Sequence, residues 1–372
     1  MRLIFYGYDY YKKELTITMN IKIHSSELNR MMKTITQCID SKDMNMGNVE
    51  IISGNNLLSI RASNGFLSAV MSTAMLGGDD ESFCVDGALF AKVCAMNNGE
   101  INISTDGRTC TIKGTGRTRL PIVTAKVPEF KPVSGKKCAI RAESFAKGYG
   151  SVAYAISTDQ SRVVLTGVLL EAEASEMRMV AIDGFRLSVE SVPCESEQIK
   201  AIVPGAFMKL VSSSTIAGES ITLSTDGKRI QALTDGMTVA CTLLSGDFPD
   251  YSRIVPDNFK TNSVLYADAL QNALKCGSVV NGNNNLIKLE VAENDVTVSS
   301  NSEQANFDET VPCITNGSDV QIAFNHKYLM ETIASITENE ITMSFNSSIN
   351  PCVIRGKEGT GYRLILPVRV AR

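Results

Sequence analysis

The chain repeats itself at a spacing of about 120 residues, and that spacing limits its architecture more than any other feature. Ile221–Ile230 reads ITLSTDGKRI and Ile101–Cys110 reads INISTDGRTC, each placing Ser-Thr-Asp-Gly ahead of a base. ITMSF from Ile341 sets Ser344 as far beyond Ser224 as Ser224 stands beyond Ser104. Val180–Val192, VAIDGFRLSVESV, is likewise answered by Arg61–Val70, RASNGFLSAV. Three copies at one interval mean three related domains, which 372 residues can accommodate.

Each copy is expected to hold two helices and about eight strands. In the first, a strand over 21–24 leads to a helix over 25–39 with Leu28, Met31, Met32, Ile35 and Cys38 at helical spacing. Asp86 opens a second helix containing Leu89, Phe90, Val93 and Cys94. Helices follow over 142–155 and 204–214 in the second copy, and over 267–280 and 325–336 in the third. The class is therefore α+β, with antiparallel sheets carrying helices on one face. Asp183-Gly184 reads as a two-residue hairpin turn. Beyond it Phe185, Leu187 and Val189 should point one way and Arg186, Ser188 and Glu190 the other, as on a sheet with one covered face. Matching punctuation, Val127-Pro128-Glu129-Phe130 and Phe248-Pro249-Asp250-Tyr251, precedes linkers at 130–137 and 256–262. The domains are expected at 19–134, 135–258 and 259–372. Residues 1–18 have no counterpart in the other copies. They are read as an extension from a mis-assigned start, with Met19 the natural first residue; Met1 or its successor at the terminus of native protein, by mass spectrometry, would refute this.

The function classes narrow by exclusion. No run approaches a membrane span, and the ten cysteines are scattered without a CxxC pair or His/Cys cluster. Reduced thiols, no metal, no cofactor and a cytoplasmic setting are expected. The two histidines, His24 and His326, open helices in different copies, and GxSxG, Walker A and HExxH are all absent. No residues are left to carry an enzyme. The formal net charge of −4 argues against nucleic acid only if the bases are dispersed. Instead Arg30 and Lys33 share a face of the first helix, and Lys92, Lys147, Lys209 and Lys275 fall outside the apolar stripes of other helices. Lys327 opens the last helix. At the place of Lys92 and Lys209 the third copy carries Glu331, which breaks the pattern. If the helices of all domains face the same side, these single flexible cations line one surface, which suits sequence-blind contact with duplex phosphates.

With VAIDGFRLSV at Val180, FPDYSRIVP at Phe248, AFNHKYL at Ala323 and YRLILPVRV at Tyr362, the chain from Met19 onward resembles the bacterial beta sliding clamp, the processivity subunit of the replicative DNA polymerase. The resemblance implies the DNA clamp fold: a ring-shaped, head-to-tail homodimer with helices inside and sheets outside, enclosing double-stranded DNA, with no catalytic activity. It implies a joint between an edge strand with Arg117, Arg119, Leu120 and Ile122 and a partner surface with Val279, Val280, Glu303, Asp308 and Glu309. It also implies a pocket for short peptides of replicative and translesion polymerases, the clamp loader and mismatch-repair proteins. The second domain would contribute Leu165, Ile182, Gly184, Phe185, Arg186, Leu187, Pro249, Arg253 and Ile254 to its lining. Asn325, Tyr328, Ile349, Leu364, Leu366, Pro367, Val368 and Arg369 would complete it. Where the family usually has His and commonly Thr, this chain has Phe185 and Ile182, which enlarges apolar surface and shifts peptide preference. Ala371 and Arg372 run past the usual end. The rival reading is a three-domain protein-interaction scaffold that does not encircle DNA.

Overall fold

The computed structural model describes residues 19–43, 45–77, 80–280 and 285–369. Residues 1–18, Ala371 and Arg372, on which two expectations rested, lie outside them. By internal contacts the chain parts into two compact units, one reaching Lys131 and taking in Gly236–Val239, the other holding Pro132–Asp235 and the chain from Ala240 onward.

In the first unit β1 (Met19–His24) runs into α1 (Ser25–Ile35), where the His24 ring Nδ1 accepts the Ser26 backbone N–H at 3.4 Å. Leu28, Met31, Met32 and Ile35 are buried, and a 3₁₀ turn over Thr36–Cys38 adds Cys38 to the core. The strands β2 (Asn48–Gly54), β3 (Leu57–Ser63), β4 (Leu67–Ala74) and β5 (Glu81–Asp86) follow, paired antiparallel in the order β5-β2-β3-β4. Asp86 caps α2 (Gly87–Ala95) by accepting the Leu89 N–H at 2.6 Å, the role its position predicts. Phe90, Val93 and Cys94 are buried, but Leu89 is exposed. A second sheet joins β1 to β6 (Glu100–Thr105), β7 (Thr109–Lys113) and β8 (Arg117–Pro121), in the order β1-β6-β7-β8, leaving β8 at its edge.

The second repeat supplies β9 (Lys136–Arg141), α3 (Ala142–Val152), β10 (Gly167–Ile182), β11 (Arg186–Pro204), α4 (Gly205–Ser214), β12 (Ser220–Thr225), β13 (Arg229–Thr234) and β14 (Met237–Thr242). β10 and β11 form one ribbon from Gly167↔Pro204 to Ile182↔Leu187, irregular only around Ala174, which takes φ 51°. The first repeat breaks here into four strands, turning at Asn55 and Asn56, both at positive φ. Six strands, not about eight, therefore serve the second repeat. The third supplies β15 (Thr261–Tyr266), α5 (Ala267–Val280), β16 (Leu286–Val291), β17 (Asp295–Asn301), β18 (Asn306–Gly317), β19 (Val320–Asn325), α6 (His326–Ala334), β20 (Glu340–Phe345), β21 (Cys352–Gly356) and β22 (Tyr362–Ile365).

The two helices of each repeat pack on each other. The second and third repeats are joined by a ladder: β22 pairs with β11 from Arg186↔Ile365 to Val189↔Tyr362. Leu169, Val180, Val189 and Ile202 from one side and Val353 and Leu364 from the other close a shared apolar core. β11 is therefore covered on both faces, not one: Arg186, Ser188 and Glu190 are as buried as Leu187 and Val189. Polar residues survive there because each has partners. Ser188 Oγ donates to Ser151 O at 2.8 Å, and Glu190 accepts Arg363 at 2.6 Å. Arg363 also donates to Val189 O at 2.7 Å and to Ser335 Oγ at 3.0 Å. Among the described residues no helix is long and apolar enough to cross a membrane.

Candidate functional site

The hairpin between β10 and β11 is a turn held by a carboxylate. Asp183 Oδ1 accepts the backbone N–H of Phe185 and of Arg186, both at 2.8 Å, and Asp183 N donates to Arg186 O at 3.2 Å. The two-residue tip is thus Gly184-Phe185, one place later than expected, with Gly184 at φ 94° where a side chain would be strained. Phe185 stands 57% exposed at that tip, while Arg186, the next residue, is 7% exposed.

All three nitrogens of the buried Arg186 fork find partners. It meets Asp183 Oδ2 through Nε at 3.0 Å, Tyr154 O through a terminal nitrogen at 2.8 Å, and Glu331 Oε2 at 2.5 Å. Its guanidinium carbon lies 4.2 Å from the Tyr328 ring centroid and 5.1 Å from that of Tyr154. The Phe185 and Tyr328 rings are 5.7 Å apart and inclined by 36°. Tyr328 enters through α6, whose cap Asn325 accepts the Tyr328 N–H at 3.1 Å. The chain after β22 then runs past the tip: Leu366 N donates to Phe185 O at 2.9 Å and Val368 N to Ala323 O at 2.8 Å.

Leu165, Ile182, Leu187 and Leu364 therefore share one buried cluster. Ile254, Leu366 and Val368 are exposed apolar groups, as is Ile349 on a separate turn, and Pro367 is half-buried with Arg369 exposed. Pro249, Arg253 and Ile254 lie on the segment ending in the 3₁₀ turn Tyr251–Ile254, where Arg253 pairs with Asp250 at 2.9 Å. Tyr251 pins that segment to β10 by donating to Glu171 Oε2 at 2.7 Å, and burial with this carboxylate contact pushes its hydroxyl pKa up to about 12. A cavity of about 450 Å³ behind the segment, floored by Leu169, Ile202 and Leu244, shares only Pro249 with the expected lining. Sequence reading missed Tyr154 and Tyr251, and set Glu331 among the helix bases; Glu331 lies 145 residues from the arginine it meets, so no local signal marks it.

The other expected residues fall on surfaces within each unit. Lys33, Lys92, Lys147, Lys209 and Lys275 are exposed and without an ion pair among the described residues, whereas Arg30 is half-exposed and paired with Glu27 at 3.1 Å. On the edge strand β8, Arg117 and Arg119 are exposed, Ile122 just beyond is half-buried, and Leu120 faces the core opposite Cys110. In the second unit the Asn306–Pro312 stretch of β18 pairs with β17 alone. That stretch carries exposed Asp308 and Glu309; Glu303 is exposed just before it. Val279, at the end of α5, is 85% exposed, and Val280 beside it is half-buried. No group of His, Cys, Asp or Glu among the described residues could hold a metal.

Residues 139–250 match the family model of the DNA polymerase III beta subunit, central domain, and residues 252–369 that of its C-terminal domain, together more than half of the chain. The chain belongs to the bacterial beta sliding clamp family. The beta sliding clamp of Streptomyces coelicolor is 26% identical over 335 residues, covering 84% of this chain and 89% of that protein. A beta sliding clamp of Staphylococcus aureus is 28% identical over 224 residues, and there the match spans 59% of the relative. The clamp fold is shared with the DNA polymerase III beta subunit of Thermotoga maritima, at a TM-score of 0.89 and 24% identity over 95% of this chain and all of that one. It is shared also with the Pseudomonas aeruginosa sliding clamp solved bound to griselimycin, at 0.88 and 20% over the same shares.

Proposed function

We propose that this chain, a DNA sliding clamp by family and not an enzyme, joins a second copy head to tail around duplex DNA and offers partner peptides the trough beside Phe185. Its three clamp domains are 19–134, 135–258 and 259–372. The observation that carries the closure is a pair of open strand edges of opposite charge: β8 with Arg117 and Arg119, and the Asn306–Pro312 stretch with Asp308 and Glu309. Unpaired backbone donors and acceptors on such edges invite antiparallel addition of another strand, and opposite charges set its register. Because the edges differ, the contact is heterologous, and it closes a ring when rotation brings the second copy back to the first.

The exposed helix lysines supply the sequence-independent attraction to phosphate that a sliding ring needs. Replacing any one of Lys33, Lys92, Lys147, Lys209 or Lys275 by Ala should lower the salt slope of DNA binding by about one at most. The trough pairs a buried apolar floor with exposed Ile254, Leu366 and Val368, which suits an extended peptide with apolar anchors. Polymerases, the clamp loader and mismatch-repair proteins are the partners of that chemistry.

Light scattering on purified protein should give the mass of a dimer. After loading, the protein should stay on nicked circular DNA and run off once the circle is cut. A species that remains monomeric at tens of micromolar and binds peptides without retention on circles would instead be a non-encircling scaffold.

A further inference from the structure

We propose that Glu331 is a positioning residue of the peptide trough, acting through Arg186 and Tyr328 to hold an aromatic wall that favours an aromatic anchor on the incoming peptide. The inference rests on the trough reading above and adds a residue outside its expected lining. Glu331 stands on α6 where the first two repeats place Lys92 and Lys209, so an acid there removes a cation from a basic series. Its contacts give a reason. One carboxylate oxygen takes Arg186 at 2.5 Å and the other lies 4.0 Å from Lys327 Nζ, so its charge is turned toward the trough side of the helix.

Asp183, Tyr154 O and Glu331 between them engage all three nitrogens of Arg186, which fixes how its fork is turned. Its guanidinium carbon lies over the Tyr328 ring, 4.2 Å from the centroid, and the Tyr328 ring in turn backs Phe185 at 5.7 Å. Phe185, more than half exposed, is the end of this stack that a visitor can touch. Without the Glu331 charge the guanidinium loses one of three anchors, Tyr328 loses a fixed cation, and the cost of ordering the wall falls on the peptide. An aromatic anchor gains an offset or edge-on ring contact from an ordered wall, whereas an aliphatic anchor depends mainly on the apolar floor. Selectivity, more than affinity in general, is what Glu331 should control.

The test titrates the full-length protein calorimetrically with three acetylated pentapeptides identical except for a last residue of Phe, Leu or Ala. The unaltered protein should rank them in that order. Glu331→Gln keeps the shape and removes the charge; it should weaken the Phe peptide by about ten-fold and shift the Leu and Ala peptides much less, collapsing the preference. Phe185→Ala should collapse the same preference, and adding Glu331→Gln to it should change nothing further. Equal weakening of all three peptides by Glu331→Gln, or an unchanged ratio of Phe to Leu, would overturn the positioning role while leaving the trough intact. Failure of the unaltered protein to bind any of the three would overturn the trough reading itself, and this inference with it.

Discussion

At Asn64 and again at Asp183 a side-chain oxygen accepts two backbone N–H groups, a glycine follows at φ 85° or 94°, and a phenylalanine stands exposed at the tip. The turns are the same object at one repeat's spacing. What differs is the next residue. Leu67 enters the core of the first unit, beside a Ser63–Ser68 hydroxyl pair at 2.7 Å. Arg186 instead gathers Asp183, Tyr154, Tyr328 and Glu331 around itself. One strand position, changed from apolar to cationic, turns a hairpin of the first kind into the corner of the proposed trough, provided a distant carboxylate is there to receive it.

The largest expected effect lies further along the same strand. Where the first repeat has buried Met71, the second has Glu190, 6% exposed and paired with Arg363, itself 4% exposed. Glu190→Ala strands the buried guanidinium and should cost the second unit about 3–5 kcal/mol, seen as an earlier transition on urea unfolding with the first unit's transition unmoved. Converting the pair together to Leu and Met should recover most of that loss; failure to recover would mean that the pair is not isolated from its Ser335 and backbone partners.

A smaller difference separates the two turn residues. Asn64→Ala should cost about 1 kcal/mol and Asp183→Ala about 2–3 kcal/mol, because the latter also deprives Arg186 of a charged partner. Equal losses would show that Arg186 draws nothing from Asp183. Gly65→Ala and Gly184→Ala should then agree with each other at about 1–2 kcal/mol, since a new Cβ at either would first meet a flexible side-chain end at 3.4 Å. Only Gly184→Ala should also disturb peptide binding.

The smallest effect compares another repeated turn. Asp106 and Asp226 each accept two backbone N–H groups, from Arg108 and Thr109 and from Arg229 and Lys228, and each is held below the ordinary 3.8 by those bonds. A folded pKa lowered in this way contributes stability that is present above the unfolded value and lost as pH falls through the folded one. Carboxylate titration by NMR should find both groups more than half ionised at pH 3.8. A marked difference between them would break the equivalence of the turns.

Much of this was legible in the chain itself. The repeat, the apolar stripes of the helices, the Asp86 cap and the Asp-Gly and Asn-Gly turns depend on residues within a few positions of one another, so spacing and residue type suffice. Leu89 shows the limit of that reading: it falls on the expected stripe, yet it is exposed because a nine-residue helix buries only part of its surface. The strand after Asp183 shows it again, since alternation cannot say whether a second layer covers the polar face.

Which layers meet was settled only by tertiary structure. Arg186 finds Glu331 across 145 residues and Arg363 finds Glu190 across 173, and in both cases a buried arginine keeps its charge because folding has brought a carboxylate to it. Local sequence determined the turns, stripes and caps because their hydrogen bonds close within a few residues. The buried charge pairs and the aromatic wall depend on strands and helices from different repeats coming into contact, and burial is a property of that contact.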